Sequence, residues 1–165
     1  MKNFSNFKTK TDNFISYKKV MIIAEIGSNH DNSLKKCKKL ILDAKKAGCD
    51  GVKFQLFKAE KLVSKKLNNK GFNLLKTLEL KESWLPIISK YCRDNKILFI
   101  CSPFYIEAVD LLIKNRCDII KIASPEIKNI SLIKKVIKSE LPIIISTGDT
   151  NKQIIKTALS NLKIN

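Results

Sequence analysis

Residues 119–127 read IIKIASPEI. A short apolar run holds one lysine, Lys121, and closes on a polar tip with Ser124 and Glu126. Four other runs are built the same way: MIIAEIGSNH (21–30), GVKFQLF (51–57), ILFICSPF (97–104) and PIIISTGD (142–149). Between them Leu, Ile and Lys recur at helical spacing. Strand, polar tip and helix, repeated, is the sequence form of a parallel β/α protein. In a β/α barrel the strand tips converge on the active site. Glu25, Lys53, Gln55, Ser102, Lys121, Ser124, Glu126, Ser146 and Thr147 are therefore candidates for one shared pocket.

The chain has 165 residues, enough for one domain with a real core. A complete (β/α)8 barrel takes about 250. The fold class expected is α/β: a partial TIM-type (β/α)8 barrel of five βα units with parallel strands. A smaller open α/β sheet is the alternative. The first strand is expected over 20–26, and residues 20–165 form the barrel portion. Residues 1–19 show no clear period and read as an N-terminal arm, or a small hairpin that plugs the barrel bottom. Helices are expected over 33–47, 72–80, 81–95, 105–114 and 131–138, and after the fifth strand over 151–165. Residues 58–70 read as a long, Lys-rich loop at a strand tip, a place where function often lies.

Side chains alternate along a strand, so Lys53 and Gln55 point one way while Val52, Phe54 and Leu56 point the other. On an inward barrel face Lys53 and Gln55 suit an anion and a hydroxyl; on an edge strand they would merely face water. Lys121 lies among isoleucines, and a buried lysine calls for an anionic partner. Hydroxyls at Ser102, Ser124, Ser146 and Thr147, with glycine amides and two lysines nearby, suit a phosphate or carboxylate cradle. Neither G-x-x-x-x-G-K-[ST] nor G-x-G-x-x-G occurs, so a nucleotide fingerprint is absent. Glu25 and Glu126 can form an acid/base set; the plainer role for each is an ion pair with Lys53 or Lys121. His30 is the single histidine and reads as a structural hydrogen-bonder; no residue of this chain is taken as a metal ligand. The five cysteines include no C-x-x-C pair and read as reduced, structural thiols. Cys101, beside Ser102, is the one closest to the candidate pocket.

The formal net charge is +17. A polyanion partner is one explanation. Yet only Arg93 and Arg116 are arginines, whereas nucleic-acid sites draw on arginine for bidentate contacts. The lysines cluster in the helical stretches, as at Lys35–Lys36, Lys38–Lys39 and Lys45–Lys46, which is the pattern of solvated outer faces. No apolar run approaches the roughly 18 residues of a membrane span, and residues 1–19 lack the apolar core of a signal peptide. The expected location is the cytoplasm, with no membrane and no nucleic-acid partner.

Taken together and in order, IIAEIGSNH (22–30), AGCDGVKFQLFKAEKLVS (47–64), the CSPF tip (101–104), AVDLL (108–112), KIASPEI (121–127) and PIIISTG (142–148) resemble the sialic acid synthase family. Those enzymes condense phosphoenolpyruvate with an N-acetylated amino sugar. The resemblance implies a (β/α)8 barrel, usually followed by a small antifreeze-like domain, of which this chain matches the first five βα units. It implies that Lys53, Ser102, Lys121, Ser124 and Ser146 contact phosphoenolpyruvate. Glu25, Gln55 and Glu126 would face the sugar and the reacting centre, with Glu25, Glu126 and Lys121 in the catalytic group. It further implies a divalent metal, manganese or magnesium, that polarises the sugar aldehyde and whose histidine ligands lie beyond this chain, and a homo-oligomeric complete enzyme. The implied product is a nine-carbon 2-keto acid, with phosphate released. Alternatives are a synthase for legionaminic or pseudaminic acid, or an inactive remnant that only binds or assembles. The 165 residues are not expected to turn over on their own. Departures from the family pattern are Ser102 where many members carry threonine, Pro125 where many carry glycine, and Asp149 where methionine is common. They bear on the choice of sugar more than on the reaction class.

Because the positive charge lies on scattered helix backs, duplex or single-stranded DNA should bind no tighter than about 10⁻⁶ M at physiological salt, the non-specific range. Titration followed by fluorescence anisotropy checks this.

Overall fold

The computed structural model describes residues 6–8, 14–16, 20–148 and 150–161. Strands β1 (Asn6–Lys8) and β2 (Phe14–Ser16) pair antiparallel as a two-stranded hairpin, one of the two forms expected for the arm. Their side chains, and with them the expected plug, lie outside the described residues, as do Asp149 and residues 162–165.

The main sheet has five strands: β3 (Ile23–Gly27), β4 (Gly51–Leu56), β5 (Leu98–Pro103), β6 (Ile119–Ile122) and β7 (Ile143–Ile145). All pairs are parallel and the order is β3-β4-β5-β6-β7. Each strand therefore lies beside the next in sequence, with no reversal of direction across the sheet. A doubly wound sheet has such a reversal; a barrel wall does not. This order favours the barrel portion over the open sheet. It also places β4 between β3 and β5, so Lys53 and Gln55 are not on an edge.

The two faces of the sheet pack differently. Val52, Phe54, Leu56, Phe99, Cys101, Ile120 and Ile122 point outward into the main core. The inner faces of helices α1 (Leu34–Lys46), α4 (Leu85–Asp94), α5 (Ile106–Lys114) and α6 (Ile130–Ile137) meet them through Cys37, Ile41, Ile88, Cys92, Val109, Leu112, Leu132 and Ile133. The opposite face carries a small cluster drawn from strands and the residues beside them, Leu98, Ile100 and Ile119 with Met21, Ile23 and Ile144. Gly51 makes room for it, since a Cβ there would lie 2.9 Å from Ile100 Cδ1. This apolar plug sits below the polar tips.

Helix boundaries follow local chemistry. Ser33, expected to start the first helix, is its N-cap and accepts from Lys36 N. The helix expected over 81–95 is divided: Glu82–Trp84 form a 3-10 turn and α4 starts at Leu85, with Pro86 in its first turn, where a missing N–H costs nothing. The expected loop at 58–70 contains a short helix, α2 (Ala59–Leu62), before α3 (Asn69–Leu78). A 3-10 turn, Pro125–Lys128, follows β6, and α7 (Lys152–Asn161) ends the described chain.

Four helices end alike. Gly48, Lys96, Arg116 and Glu140 have φ of +83°, +52°, +54° and +57°. For the first three, the next residue's amide reaches back to a carbonyl in the last turn, as in Cys49 N to Ala44 O at 3.0 Å and Cys117 N to Leu112 O at 3.0 Å. This is the Schellman closure, which glycine usually serves. It turns the chain directly into the next strand. A side chain in this conformation costs about 1–2 kcal/mol, partly offset by glycine's greater unfolded-state entropy. Lys96→Gly should therefore raise stability by about 0.5–1 kcal/mol, read as a higher urea midpoint.

Candidate active site

The polar tips rise from the inner face of the sheet, above the apolar plug. Glu25 and Lys53 stand side by side in register on β3 and β4. The Lys53 ammonium pairs with Glu25 Oε2, with side-chain exposures of 16% and 48% respectively. One strand over, Gln55 and Ser102 are register partners on β4 and β5, and Ser102 is buried.

The geometry at β3 depends on a bulge. Glu25 pairs with Lys53 but Gly27 pairs with Phe54, so Ile26 is the extra residue. Bulges of this kind bend a strand and re-aim its side chains. Gly27 then takes φ +54°, and a Cβ there would lie 3.2 Å from Glu25 Oε1 and 3.4 Å from Gln55 Nε2. The missing side chain leaves that space at the strand end to the carboxylate and the carboxamide.

Lys121 is the third charge. Its Nζ donates to Ile122 O at 2.9 Å. Burial lowers its pKa first; the neighbouring Lys53 ammonium lowers it further, and Glu25 partly opposes the shift. Two lysines thus share one carboxylate, an arrangement that favours an incoming anion.

At the next tips, Ser124 Oγ accepts from Gly148 N at 3.3 Å. Ser146 N donates to Ile122 O at 3.0 Å. These bonds tie the ends of β6 and β7 together. Ser146 is half-buried, whereas Thr147 is exposed. Glu126 stands apart from the charged trio. Its Oε2 accepts from Asn129 Nδ2 at 3.1 Å, so its described partner is Asn129 rather than either lysine. Cys101 faces the outer core and burial pushes its thiol up, consistent with a structural role.

Three features were not legible from residue type alone. One is the Gly27 bulge, whose only trace is a glycine at a strand end. The second is Asn129, signalled by an asparagine just before a helical period. The third braces the rim: Tyr105 OH donates to Glu82 Oε1 at 2.7 Å, and Lys58 Nζ approaches the same oxygen at 3.0 Å. Together they lower the Glu82 pKa.

His30 is fully buried, edge-on to Trp84, and its Nδ1 accepts from Asn32 N at 3.2 Å. Burial lowers its pKa. Among the described residues no group of three or more His, Cys, Asp or Glu side chains stands ready to hold a metal ion, so these residues do not fit a metal centre by themselves.

Residues 40–165 match the NeuB family. The chain belongs to that family. It is 40% identical over 158 residues to the N,N'-diacetyllegionaminic acid synthase of Campylobacter jejuni, covering 88% of this chain and 47% of that protein. It is 34% identical over 154 residues to the Legionella pneumophila enzyme of the same name, covering 86% and 43%. The crystal structure of the N-acetylneuraminic acid (sialic acid) synthetase of Leptospira borgpetersenii in complex with citrate superposes with a TM-score of 0.88. It is 30% identical and covers 96% of this chain and 55% of that one. The chain thus spans about half the length of the curated relatives it matches. These relatives are sugar-acid synthases by name, and no described helix of this chain is long and apolar enough to cross a membrane.

Lys121→Met and Glu25→Gln should have opposite effects on stability. Lys121→Met removes a desolvated charge and should stabilise the fold by roughly 1 kcal/mol. Its folded pKa is depressed, so the wild-type penalty is full below that pKa. The penalty fades as pH rises toward the ordinary lysine value of 10.5. Glu25→Gln, by contrast, leaves two ammonium groups without their counter-charge and should destabilise. Urea unfolding of the three proteins at pH 7 and pH 10 checks both signs.

Proposed function

We propose that this chain supplies the phosphoenolpyruvate-binding part of a synthase that joins phosphoenolpyruvate to an N-acetylated amino sugar. Residues 20–165 would form the front of its barrel and residues 1–19 an arm before it. The observation that carries this reading is the Lys53–Lys121 pair around Glu25, raised above an apolar plug on the inner face of a parallel sheet. Phosphoenolpyruvate brings a phosphate and a carboxylate, and two ammonium groups beside the hydroxyls of Ser102, Ser124 and Ser146 suit both. Thr147, more exposed, would reach the substrate from the rim.

In the reaction, C3 of phosphoenolpyruvate forms a carbon–carbon bond to the sugar aldehyde, whose oxygen takes a proton. Water adds to the cationic C2, and the C2–O bond to phosphate breaks, leaving the 2-keto acid and inorganic phosphate. Lys53 and Lys121 orient the anion. Glu25 and Gln55, converging over Gly27, face the aldehyde, where a carboxylate can accept or return a proton. Glu126 faces the sugar from the β6 tip. A divalent metal, manganese or magnesium, belongs to the same proposal as an electrophile for the aldehyde. The described residues assemble no centre for it. A homo-oligomeric, cytoplasmic enzyme completes the reading.

A second reading concerns the sugar. The two curated relatives at 40% and 34% identity make a di-N-acetylated acid by name, against 30% for the sialic acid synthetase. This favours a di-N-acetylated hexose over N-acetylmannosamine as acceptor. The anion site is common to both.

Phosphoenolpyruvate binding measured by calorimetry tests the anion site. Lys53→Met and Lys121→Met should each weaken it by about 2 kcal/mol or more, the scale of a lost charge-assisted contact. Unchanged affinity in both would sink the reading.

A further inference from the structure

We propose that Asn129 is the positioning residue for Glu126, fixing its carboxylate toward the sugar; this rests on the synthase reading above. Asn129 uses both ends of its amide. Nδ2 donates to Glu126 Oε2 at 3.1 Å, and Oδ1 accepts from Leu132 N at 3.1 Å as the N-cap of α6. The backbone repeats the link, with Asn129 N donating to Glu126 O at 3.0 Å and Ile133 N to Asn129 O at 3.0 Å. α6 is itself anchored by Leu132, Ile133 and Val136, all fully buried, and the turn before it by Ile127. One carboxylate oxygen is thus tied through Asn129 to a rigid helix. Oε1 has no hydrogen bond or ion pair among the described residues and is left for the substrate. Pro125 stiffens the turn from the other side.

An asparagine needed only as a cap could be replaced by serine or aspartate with little loss, since all three cap well. A positioning role makes a different demand, because aspartate has no donor to offer a carboxylate and serine offers only a shorter hydroxyl that also serves as the cap. The test is calorimetric binding of sugar to the full chain saturated with phosphoenolpyruvate, using N-acetylmannosamine and a di-N-acetylated hexose as probes. Asn129→Ser and Asn129→Asp should each weaken sugar binding by about tenfold, the size of one hydrogen bond to a charged group. Phosphoenolpyruvate affinity and the unfolding midpoint should stay nearly unchanged.

The double variant Glu126→Gln with Asn129→Asp restores the bond in reverse, amide to carboxylate. Its loss should match that of Glu126→Gln alone rather than the product of the two single losses, the signature of coupled partners. Wild-type affinity in Asn129→Asp, or multiplicative losses in the double variant, would overturn the proposal. If Glu126→Gln itself binds sugar as wild type does, or wild type binds neither sugar, it is the synthase reading of Glu126 that fails, and the positioning role falls with it.

Discussion

A lysine ammonium on the inner face of a parallel sheet needs a counter-charge, and the site follows from how this chain supplies one. Lys53 has Glu25 beside it in register, while among the described residues Lys121 has a backbone carbonyl and a share of the same carboxylate. One negative charge between two positive ones leaves the cleft short of an anion. The bulge at Ile26 bends the strand end, and the bare Cα of Gly27 leaves room there for that carboxylate, paired with Lys53, and for the Gln55 carboxamide. The outer face carries no such tension, because helices cover it with aliphatic side chains.

Much of this was written in the sequence because strands alternate. Val52, Phe54 and Leu56 opposite Lys53 and Gln55 assign both faces of β4 from the sequence alone, and the repeated polar tips mark the strand ends. The alternation of runs with helical stretches long enough for a crossover indicated a parallel β/α protein, and the resemblance of the ordered motifs pointed to the barrel portion. What escaped detection depends on backbone geometry rather than composition. A one-residue bulge leaves no mark on hydrophobic period. The division of residues 81–95 into a 3-10 turn and a helix turns on Pro86, which period analysis tolerates. An ion pair with a lysine is the plainer of the two roles the sequence offers Glu126, because charge is the strongest cue in a sequence. Its partner is a neutral amide three residues on, visible only once the turn at 125–128 and the start of α6 are known.

Two aspartates show the same economy at the opposite end of the sheet. Asp50 precedes β4 and accepts from Ile22 N at 2.8 Å through Oδ2, while its own N–H donates to Ile22 O at 2.8 Å. Asp118 precedes β6 and does the same with Phe99, at 2.9 Å in both directions. Each follows a cysteine that follows a left-handed helix end. The sequences GCD and RCD are thus one structural device used twice: stop the helix, pass one cysteine, half-buried at Cys49 and buried at Cys117, then latch the new strand to its predecessor.

The consecutive strand order has a consequence for how the chain acquires its structure. Every pairing in the main sheet joins a strand to the one made just before it, so sheet growth needs no segment still to be synthesised. Loop-closure entropy stays modest at each step, and contacts remain comparatively local. A ribosome delivering this chain from its N-terminus would release each βα unit beside an edge already waiting for it. The architecture is suited to vectorial assembly, with the growing edge moving from β3 toward β7 as translation proceeds.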